Sequence, residues 1–175
     1  MEEYFKQKIR NVPDFPKKGI IFRDITTLLK DGEALNQSAE TLYQFSKDYK
    51  IDKVVGVESR GFIFGSVLAQ KLGVGLALVR KPGKLPAETI SQSYTLEYGE
   101  DTLEIHKDAI EPGERILLHD DLLATGGTAR AACDLIEKAG GKIIQVSFII
   151  ELAFLGGKEL FKDYIVNALA TYDSE

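Results

Sequence analysis

Residues 115–141 read RILLHDDLLATGGTARAACDLIEKAGG, and this stretch decides the fold. The apolar run RILLH predicts a buried strand, which two adjacent carboxylates, Asp120 and Asp121, follow directly. A loop of small residues comes next, and the apolar spacing of residues 128–139 predicts a helix that Gly140 ends. A strand, a small-residue loop and a helix in this order are typical of a parallel α/β sheet.

The rest of the chain alternates short apolar segments with amphipathic ones. Strands are predicted at residues 53–58, 76–79, 143–150 and 164–169, and helices at residues 33–50 and 61–72. Two strand arms, residues 90–98 and 102–106, predict a β-hairpin that turns at residues 99–101. We therefore expect one α/β domain over residues 1–175, a mostly parallel twisted sheet with helices on both faces plus this hairpin. The loops after Val57, Val79 and His119 should then meet at the carboxyl edge of the sheet, where ligands bind.

The composition excludes several classes of function. The chain has 175 residues, 44% of them apolar and 28% charged, with a net charge of −5, which disfavours broad binding to nucleic acid or an anionic membrane. No apolar run approaches the ~18 residues of a membrane span, and the first residues lack the apolar stretch of a signal peptide. A single cysteine excludes an internal disulfide and fits a reducing cytosol. The expected location is the cytoplasm.

The loop after the acid pair has the features of an anion site. Its residues are Ala124, Thr125, Gly126, Gly127 and Thr128. The N–H groups at a helix start favour an anion, and glycines let backbone amides approach it closely. The neighbouring acids are suited instead to the vicinal hydroxyls of a sugar or to a hydrated Mg²⁺. The combination predicts a site for a ribose 5-phosphate, and the alternative is a glycine turn with a capping aspartate.

Six blocks of the sequence resemble the type I phosphoribosyltransferases. They are PDFPKKGIIFRDIT (residues 13–26), ESRGFIFG (58–65), RKPGKLP (80–86), SYTLEYG (93–99), LEIHKDAIEPG (103–113) and DDLLATGGT (120–128). The combination of FRDIT with LEYG is typical of the adenine branch of this family. Two residues depart from its pattern: His119 stands where an aliphatic residue is usual, and Thr27 where proline is common.

This resemblance implies a purine-salvage reaction in which adenine and phosphoribosyl pyrophosphate give AMP and pyrophosphate, with Mg²⁺ as cofactor. It implies that residues 124–128 hold the 5′-phosphate and that Asp120 and Asp121 face the ribose hydroxyls. Mg²⁺ would be held through pyrophosphate and water near these two acids, without a direct protein ligand. The resemblance also implies a homodimer, and the apolar excess of residues 62–64 supports it.

The resemblance assigns the other site residues to three groups. Those expected to bind pyrophosphate are Glu58, Ser59, Arg60, Arg80, Lys81 and Lys84, with a cis peptide between Glu58 and Ser59. Those expected to bind adenine, within a base-binding segment of residues 1–32, are Ile21, Phe22 and Arg23. Those expected to be catalytic are Glu97, Tyr98 and Arg60, the first two on a lid hairpin of residues 81–106. Such a lid would keep water from the reacting ribosyl centre.

Several alternatives stay open. The basic residues 80–84 also fit a solvated turn, Phe22 a core residue, and Glu97 an exposed glutamate on a hairpin. The whole chain could be a non-catalytic regulator that binds phosphoribosyl pyrophosphate, or a transferase for a 6-oxopurine, which would need a lysine near the purine O6. Cys133 is interpreted as a small core residue, and the two histidines, His106 and His119, lack the number and spacing of a zinc site.

Overall fold

The computed structural model describes residues 1–96 and 99–175. Its helices are α1 (Glu2–Lys8), α2 (Thr26–Leu29), α3 (Gly32–Ser46), α4 (Gly61–Leu72) and α5 (Gly127–Lys138), and two short 3-10 helices span Ala153–Leu155 and Gly157–Phe161. Its strands are β1 (Arg10–Pro13), β2 (Ile21–Asp24), β3 (Lys53–Val57), β4 (Gly75–Val79), β5 (Thr89–Leu96), β6 (Gly99–His106), β7 (Arg115–Leu123), β8 (Lys142–Leu152) and β9 (Ile165–Tyr172).

A five-stranded sheet in the order β4-β3-β7-β8-β9 forms the centre of the protein. All four neighbouring pairs are parallel. Two antiparallel hairpins, β1–β2 and β5–β6, lie outside it. The predicted fold, a single α/β domain with a mostly parallel sheet, is therefore confirmed.

Each face of the sheet carries its own core. Val55 and Leu118 pack on one face with α5 and with apolar residues of β6. Their neighbours Val54 and Leu117 pack on the other face with α1, α3 and α4. Successive strand residues point to opposite faces, so a strand buried on both sides must be apolar throughout. This explains the unbroken apolar runs in the sequence.

Several predicted boundaries are wrong. The helix predicted over residues 33–50 ends at Ser46, and the strand predicted over residues 164–169 continues to Tyr172. Strand β7 does not end at His119 but runs to Leu123, because β8 continues to pair with it as far as the Leu123–Glu151 pair. The pairing of β7 with β3 does end at His119. Asp120 and Asp121 therefore pair with no described residue of β3. Residues 99–101, predicted as the turn of the hairpin, belong to β6 and pair with β5, from Leu96–Gly99 to Tyr94–Asp101.

The sequence analysis missed the N-terminal elements α1, β1, β2 and α2, which are short and lack a clear apolar period. Ile63 on α4 is 37% exposed, because α4 packs on the sheet through another face. No helix in the described part of the chain is long and apolar enough to cross a membrane.

Candidate active site

The carboxyl ends of β3 and β4 and the last residues of β7 open onto one cleft of about 850 Å³. A cavity of this size is ample for a nucleotide-sized ligand. Among the described residues it is lined by Glu58, Arg60, Lys81, Thr95, Asp120, Asp121, Leu122, Ala124, Thr125, Gly126, Gly127, Thr128 and Ala129. The three loops that the sequence analysis expected to meet are therefore brought together here.

The two carboxyls of the acid pair have different environments. Asp120 is buried, and its Oδ1 accepts a hydrogen bond of 2.8 Å from the Asp121 amide. Burial raises the pKa of the Asp120 carboxyl well above its ordinary value, and the negative charge of Asp121 raises it further. Asp121 is more exposed and forms an ion pair with Arg60. The pair therefore offers one carboxyl that tends to keep its proton and one that is fixed by a cation.

The 124–128 loop joins β7 to α5 at the floor of the cleft. Gly126 has φ +85° and stands at the N-cap of α5, where its carbonyl accepts the first helical hydrogen bond from the Arg130 amide at 2.8 Å. Glycine adopts this left-handed conformation without the steric cost that a side chain brings. No side chain of the described residues caps the start of α5, so its first amides can serve a ligand. The loop therefore has the geometry of an anion site.

Glu58 organises the basic side of the cleft. Its carboxylate accepts hydrogen bonds from Arg80 Nε at 3.2 Å and from the Lys81 amide at 2.7 Å. The Glu58–Ser59 peptide is cis, as the resemblance implied. Lys84 is exposed on the loop beyond β4, and its carbonyl accepts a hydrogen bond of 3.4 Å from Arg80. Among the predicted pyrophosphate residues, Glu58, Arg60 and Lys81 thus line the cleft, whereas Ser59, Arg80 and Lys84 are not among the described lining residues.

The hairpin β5–β6 is connected to the 124–128 loop by Tyr94, which the sequence analysis did not single out. The Tyr94 hydroxyl accepts from Lys81 Nζ at 3.2 Å and from Thr128 Oγ1 at 3.3 Å, and it donates to Asp101 Oδ2 at 3.1 Å. Asp101 also forms an ion pair with Lys81, which lowers the pKa of the Asp101 carboxyl. The correct hairpin register would have paired Tyr94 with Asp101, and the misplaced turn concealed it.

The predicted adenine residues lie on β2, beside the cleft rather than in it. Phe22 is half-buried, its ring meets Phe15 edge-on at 5.2 Å, and the Arg60 guanidinium lies 5.8 Å from the ring centre. The Arg23 side chain stacks on Tyr172 at 4.1 Å. Phe22 therefore lies beside Arg60, which lines the cleft, whereas Ile21 and Arg23 are not among the described lining residues. The predicted catalytic residues Glu97 and Tyr98 lie outside the described residues.

His119 lies behind the acid pair, fully buried in β7. Its Nδ1 is 2.9 Å from Ser147 Oγ, while Nε2 has no hydrogen-bond partner among the described residues. Burial lowers the pKa of this imidazole to about 3. His119 is therefore a neutral core residue. The predicted core position of Cys133 is confirmed, since its thiol is buried too.

Comparison with known proteins defines the family. The model of the phosphoribosyl transferase domain matches residues 24–167, which include the acid pair and the 124–128 loop. The chain belongs to the phosphoribosyltransferase family. Within this family it is 56% identical over 168 residues to an adenine phosphoribosyltransferase of Clostridium perfringens, with 96% of this chain and 98% of that protein covered.

Solved phosphoribosyltransferase structures share the whole architecture. The adenine phosphoribosyltransferase of Thermoanaerobacter pseudethanolicus matches with a TM-score of 0.95 and 50% identity over 98% of this chain and all of that one. The Saccharomyces cerevisiae enzyme, complexed with an imino-altritol bisphosphate and adenine, matches with a TM-score of 0.89 and 38% identity over 96% of this chain and 97% of that one. The adenine branch suggested by FRDIT and LEYG is therefore confirmed.

Proposed function

We propose that this protein is an adenine phosphoribosyltransferase of purine salvage. It transfers the 5-phosphoribosyl group of phosphoribosyl pyrophosphate to adenine: the N9–C1 bond forms, the C1–oxygen bond to pyrophosphate breaks, and adenine loses one proton. The observation that carries this proposal is the combination of groups that line one cleft. They are the 124–128 anion loop, the two carboxyls of Asp120 and Asp121, and two cations, Arg60 and Lys81.

The 124–128 loop is the proposed site of the 5′-phosphate. The support is its backbone: Gly126 turns the chain into α5 and leaves the first amides of that helix without a side-chain cap. A dianionic phosphate is stabilised by such amides and by the positive end of the helix dipole. The Thr125 hydroxyl supplies a further donor, whereas the Thr128 hydroxyl donates to Tyr94. This part of the cleft therefore anchors the sugar.

Asp120 and Asp121 are the proposed partners of the ribose 2′- and 3′-hydroxyls. A sugar hydroxyl both donates and accepts, so it suits a pair in which one carboxyl tends to keep its proton and the other is held by Arg60. Arg60 fixes the Asp121 carboxylate from the pyrophosphate side. The ribose carbon that reacts would then lie between the acids and the cations.

Arg60 and Lys81 are the proposed anchors of pyrophosphate, with Ser59, Arg80 and Lys84 nearby. Both anchors line the cleft, and each already holds a carboxylate, Asp121 or Asp101. Stabilising the charge that develops on a leaving pyrophosphate is the main electrostatic task in this reaction. Glu58 then has a supporting role, since it orients Arg80 and the Lys81 amide.

Mg²⁺ is the proposed cofactor. Among the described residues no three His, Cys, Asp or Glu side chains are close enough to form a cation site. The adjacent oxygens of Asp120 and Asp121 fit the outer waters of a hydrated ion that arrives with the pyrophosphate. When bound, the ion would neutralise part of the charge on that group.

The proposed adenine site is the N-terminal segment of residues 1–32, with Phe22 stacking on the purine and the main chain of Ile21 and Arg23 pairing with its edge. The support is the position of Phe22, whose ring is half-buried and faces Arg60 at the rim of the cleft. Main-chain donors and acceptors cannot rearrange, so a base with the wrong pattern leaves them unpaired.

Residues 81–106 are the proposed lid, carrying the catalytic candidates Glu97 and Tyr98. Its support is the Tyr94 hydroxyl, which bridges the hairpin to Thr128 on the phosphate side of the cleft. A closed lid would exclude water from the ribosyl centre and bring Glu97 to the purine, where it would handle the N7 proton.

The proposed assembly is a homodimer in the cytoplasm. The support for a dimer is the exposed apolar surface of Ile63 on α4 and Leu76 on β4, which are 37% and 36% exposed. The support for the cytoplasm is the single, buried thiol of Cys133. Sedimentation at micromolar concentration tests the assembly, and a monomer would contradict it.

The test of function is a base panel. Adenine, hypoxanthine, guanine and uracil, each radiolabelled, are incubated with the protein, Mg²⁺ and phosphoribosyl pyrophosphate. We expect adenine to be used at least about a hundredfold better than hypoxanthine by kcat/KM, because a mismatched purine edge costs several kcal/mol. Comparable use of hypoxanthine would indicate a 6-oxopurine enzyme. Binding of phosphoribosyl pyrophosphate without turnover of any base would indicate a regulator.

A further inference from the structure

Gly157 passes beneath the 124–128 loop although it lies in a separate segment, at the start of the 3-10 helix Gly157–Phe161 that follows β8. It is buried. A Cβ added to Gly157 would overlap the carbonyl oxygen of Ala124 and would lie 2.9 Å from both the Gly126 nitrogen and the Thr125 carbonyl carbon. All three are backbone atoms of the loop, so none can turn away as a flexible side chain would.

The contact is reciprocal. A Cβ added to Gly126 would lie 2.8 Å from the Gly157 carbonyl oxygen, 3.1 Å from Leu160 Cδ1 and 3.2 Å from Phe161 Cε2. The two backbones therefore touch directly, with glycine on each side. The first turn of the 3-10 helix forms the support on which the loop rests.

The distance between the loop backbone and the Gly157 backbone determines the direction in which the loop amides point. A binding site made of backbone amides depends on position at the level of a few tenths of an ångström, because hydrogen bonds weaken steeply with distance and angle. Any side chain at position 157 would force this segment and residues 124–126 apart, and so change the position of the loop. Such a shift would reorient the amides at the start of α5.

We infer that Gly157 is a positioning residue for the 124–128 loop, setting its backbone for the 5′-phosphate without touching the ligand. This rests on the proposed function, in which that loop holds the phosphate. The atoms nearest to a Cβ at Gly157 all belong to residues 124–126 and not to Arg60 or Lys81, so pyrophosphate binding should be affected less by a change there.

The test compares Gly157→Ala with Gly156→Ala in the full-length protein. Gly156 has φ +69°, and a Cβ there would meet no described atom within 4 Å, so this control strains the same segment without touching the loop. Calorimetry measures the Kd of ribose 5-phosphate and, separately, of pyrophosphate. For Gly157→Ala we expect ribose 5-phosphate to bind about tenfold more weakly and pyrophosphate to change less than about twofold. Gly156→Ala should leave both within about twofold.

A kinetic readout separates positioning from general damage. The KM for phosphoribosyl pyrophosphate should rise in Gly157→Ala while kcat stays within about twofold of wild type. If both Kd values change by the same factor, or neither changes, the inference is wrong.

Two further variants keep the test decisive. If Gly157→Ala does not fold, Leu160→Ala replaces it: Leu160 is 47% exposed, so its truncation spares the core but removes packing next to Gly126. We then expect about threefold weaker ribose 5-phosphate binding, and an unchanged Kd would overturn the inference. Gly127→Val tests the loop assignment itself. If it leaves ribose 5-phosphate binding unchanged, the proposed phosphate site fails; if it alone weakens binding, only the role of Gly157 fails.

Discussion

His119 makes the stability of this protein dependent on pH in a predictable direction. Its imidazole is fully buried, and burial lowers its pKa from 6.5 to about 3. The folded state therefore takes up this proton only near pH 3, whereas the unfolded chain takes it up near pH 6.5. The free energy of unfolding is therefore not reduced by this residue above pH 6.5, and it decreases progressively as the pH falls from 6.5 towards 3.

The size of the effect follows from the same two pKa values. Each pH unit below 6.5 favours the unfolded state by about 1.4 kcal/mol, so pH 5 costs about 2 kcal/mol relative to pH 7.5. His119→Leu removes this term. We expect the loss of unfolding free energy between pH 7.5 and pH 5 to be about 2 kcal/mol smaller in the variant. The raised pKa of Asp120 has the opposite sign, but that residue is present in both proteins and its contribution largely cancels in the comparison.

Urea unfolding at pH 7.5, 6 and 5 measures this directly. Ser147→Ala is the control, because it alters the hydrogen bond at Nδ1 but keeps the buried imidazole and so should keep the wild-type pH dependence. The absolute stability of His119→Leu is not the readout, since the substitution leaves the Ser147 hydroxyl without this partner. If His119→Leu loses as much stability on acidification as the wild type, the buried imidazole is not the cause.

Three other predictions test the site. Gly61→Ala should cost about 1–3 kcal/mol of unfolding free energy and lower kcat/KM, because its Cβ would lie 2.8 Å from the His119 carbonyl oxygen. Gly65→Ala, with contacts of 3.6 Å, should not destabilise the protein, and equal losses in urea unfolding would contradict the steric argument. Tyr94→Phe should raise the KM for phosphoribosyl pyrophosphate about fivefold in initial-rate assays, since it removes the bridge between Lys81 and the loop; an unchanged KM would show that this bridge does not contribute. Glu97→Gln should slow single-turnover chemistry roughly 10²-fold, and a rate within about threefold of wild type would exclude the proton role.

The sequence was sufficient to predict the central unit of strand, acid pair, loop and helix. Each part carries its own local signal: an apolar run for β7, small residues in the 124–128 loop and helical spacing for α5. Parallel strands also place their carboxyl ends together, so the meeting of Glu58, Lys81 and Asp120 followed from topology alone.

Other parts of the site could not be predicted because they depend on partners distant in the chain. Tyr94 meets Thr128 only once the hairpin register is known, and the register depended on a turn that the sequence analysis placed too late. The contact between Gly157 and the backbone of the 124–128 loop exists only in the folded protein, so no local pattern in the sequence indicates it. The strand pair β1–β2 is short and half-exposed, so it lacks the alternation that reveals longer strands.

The ion pairs of the cleft have a consequence for how binding responds to salt. Among the described lining residues, both cations carry an internal counter-ion: Asp121 neutralises Arg60, and Asp101 neutralises Lys81. An incoming polyanion therefore exchanges with carboxylates of the protein instead of displacing anions from the buffer. Raising the ionic strength weakens the old pairs and the new ones together. The affinity of the cleft for pyrophosphate should then vary less steeply with salt concentration than the affinity of an open basic surface for the same anion. In this respect the cleft behaves as a small ion exchanger.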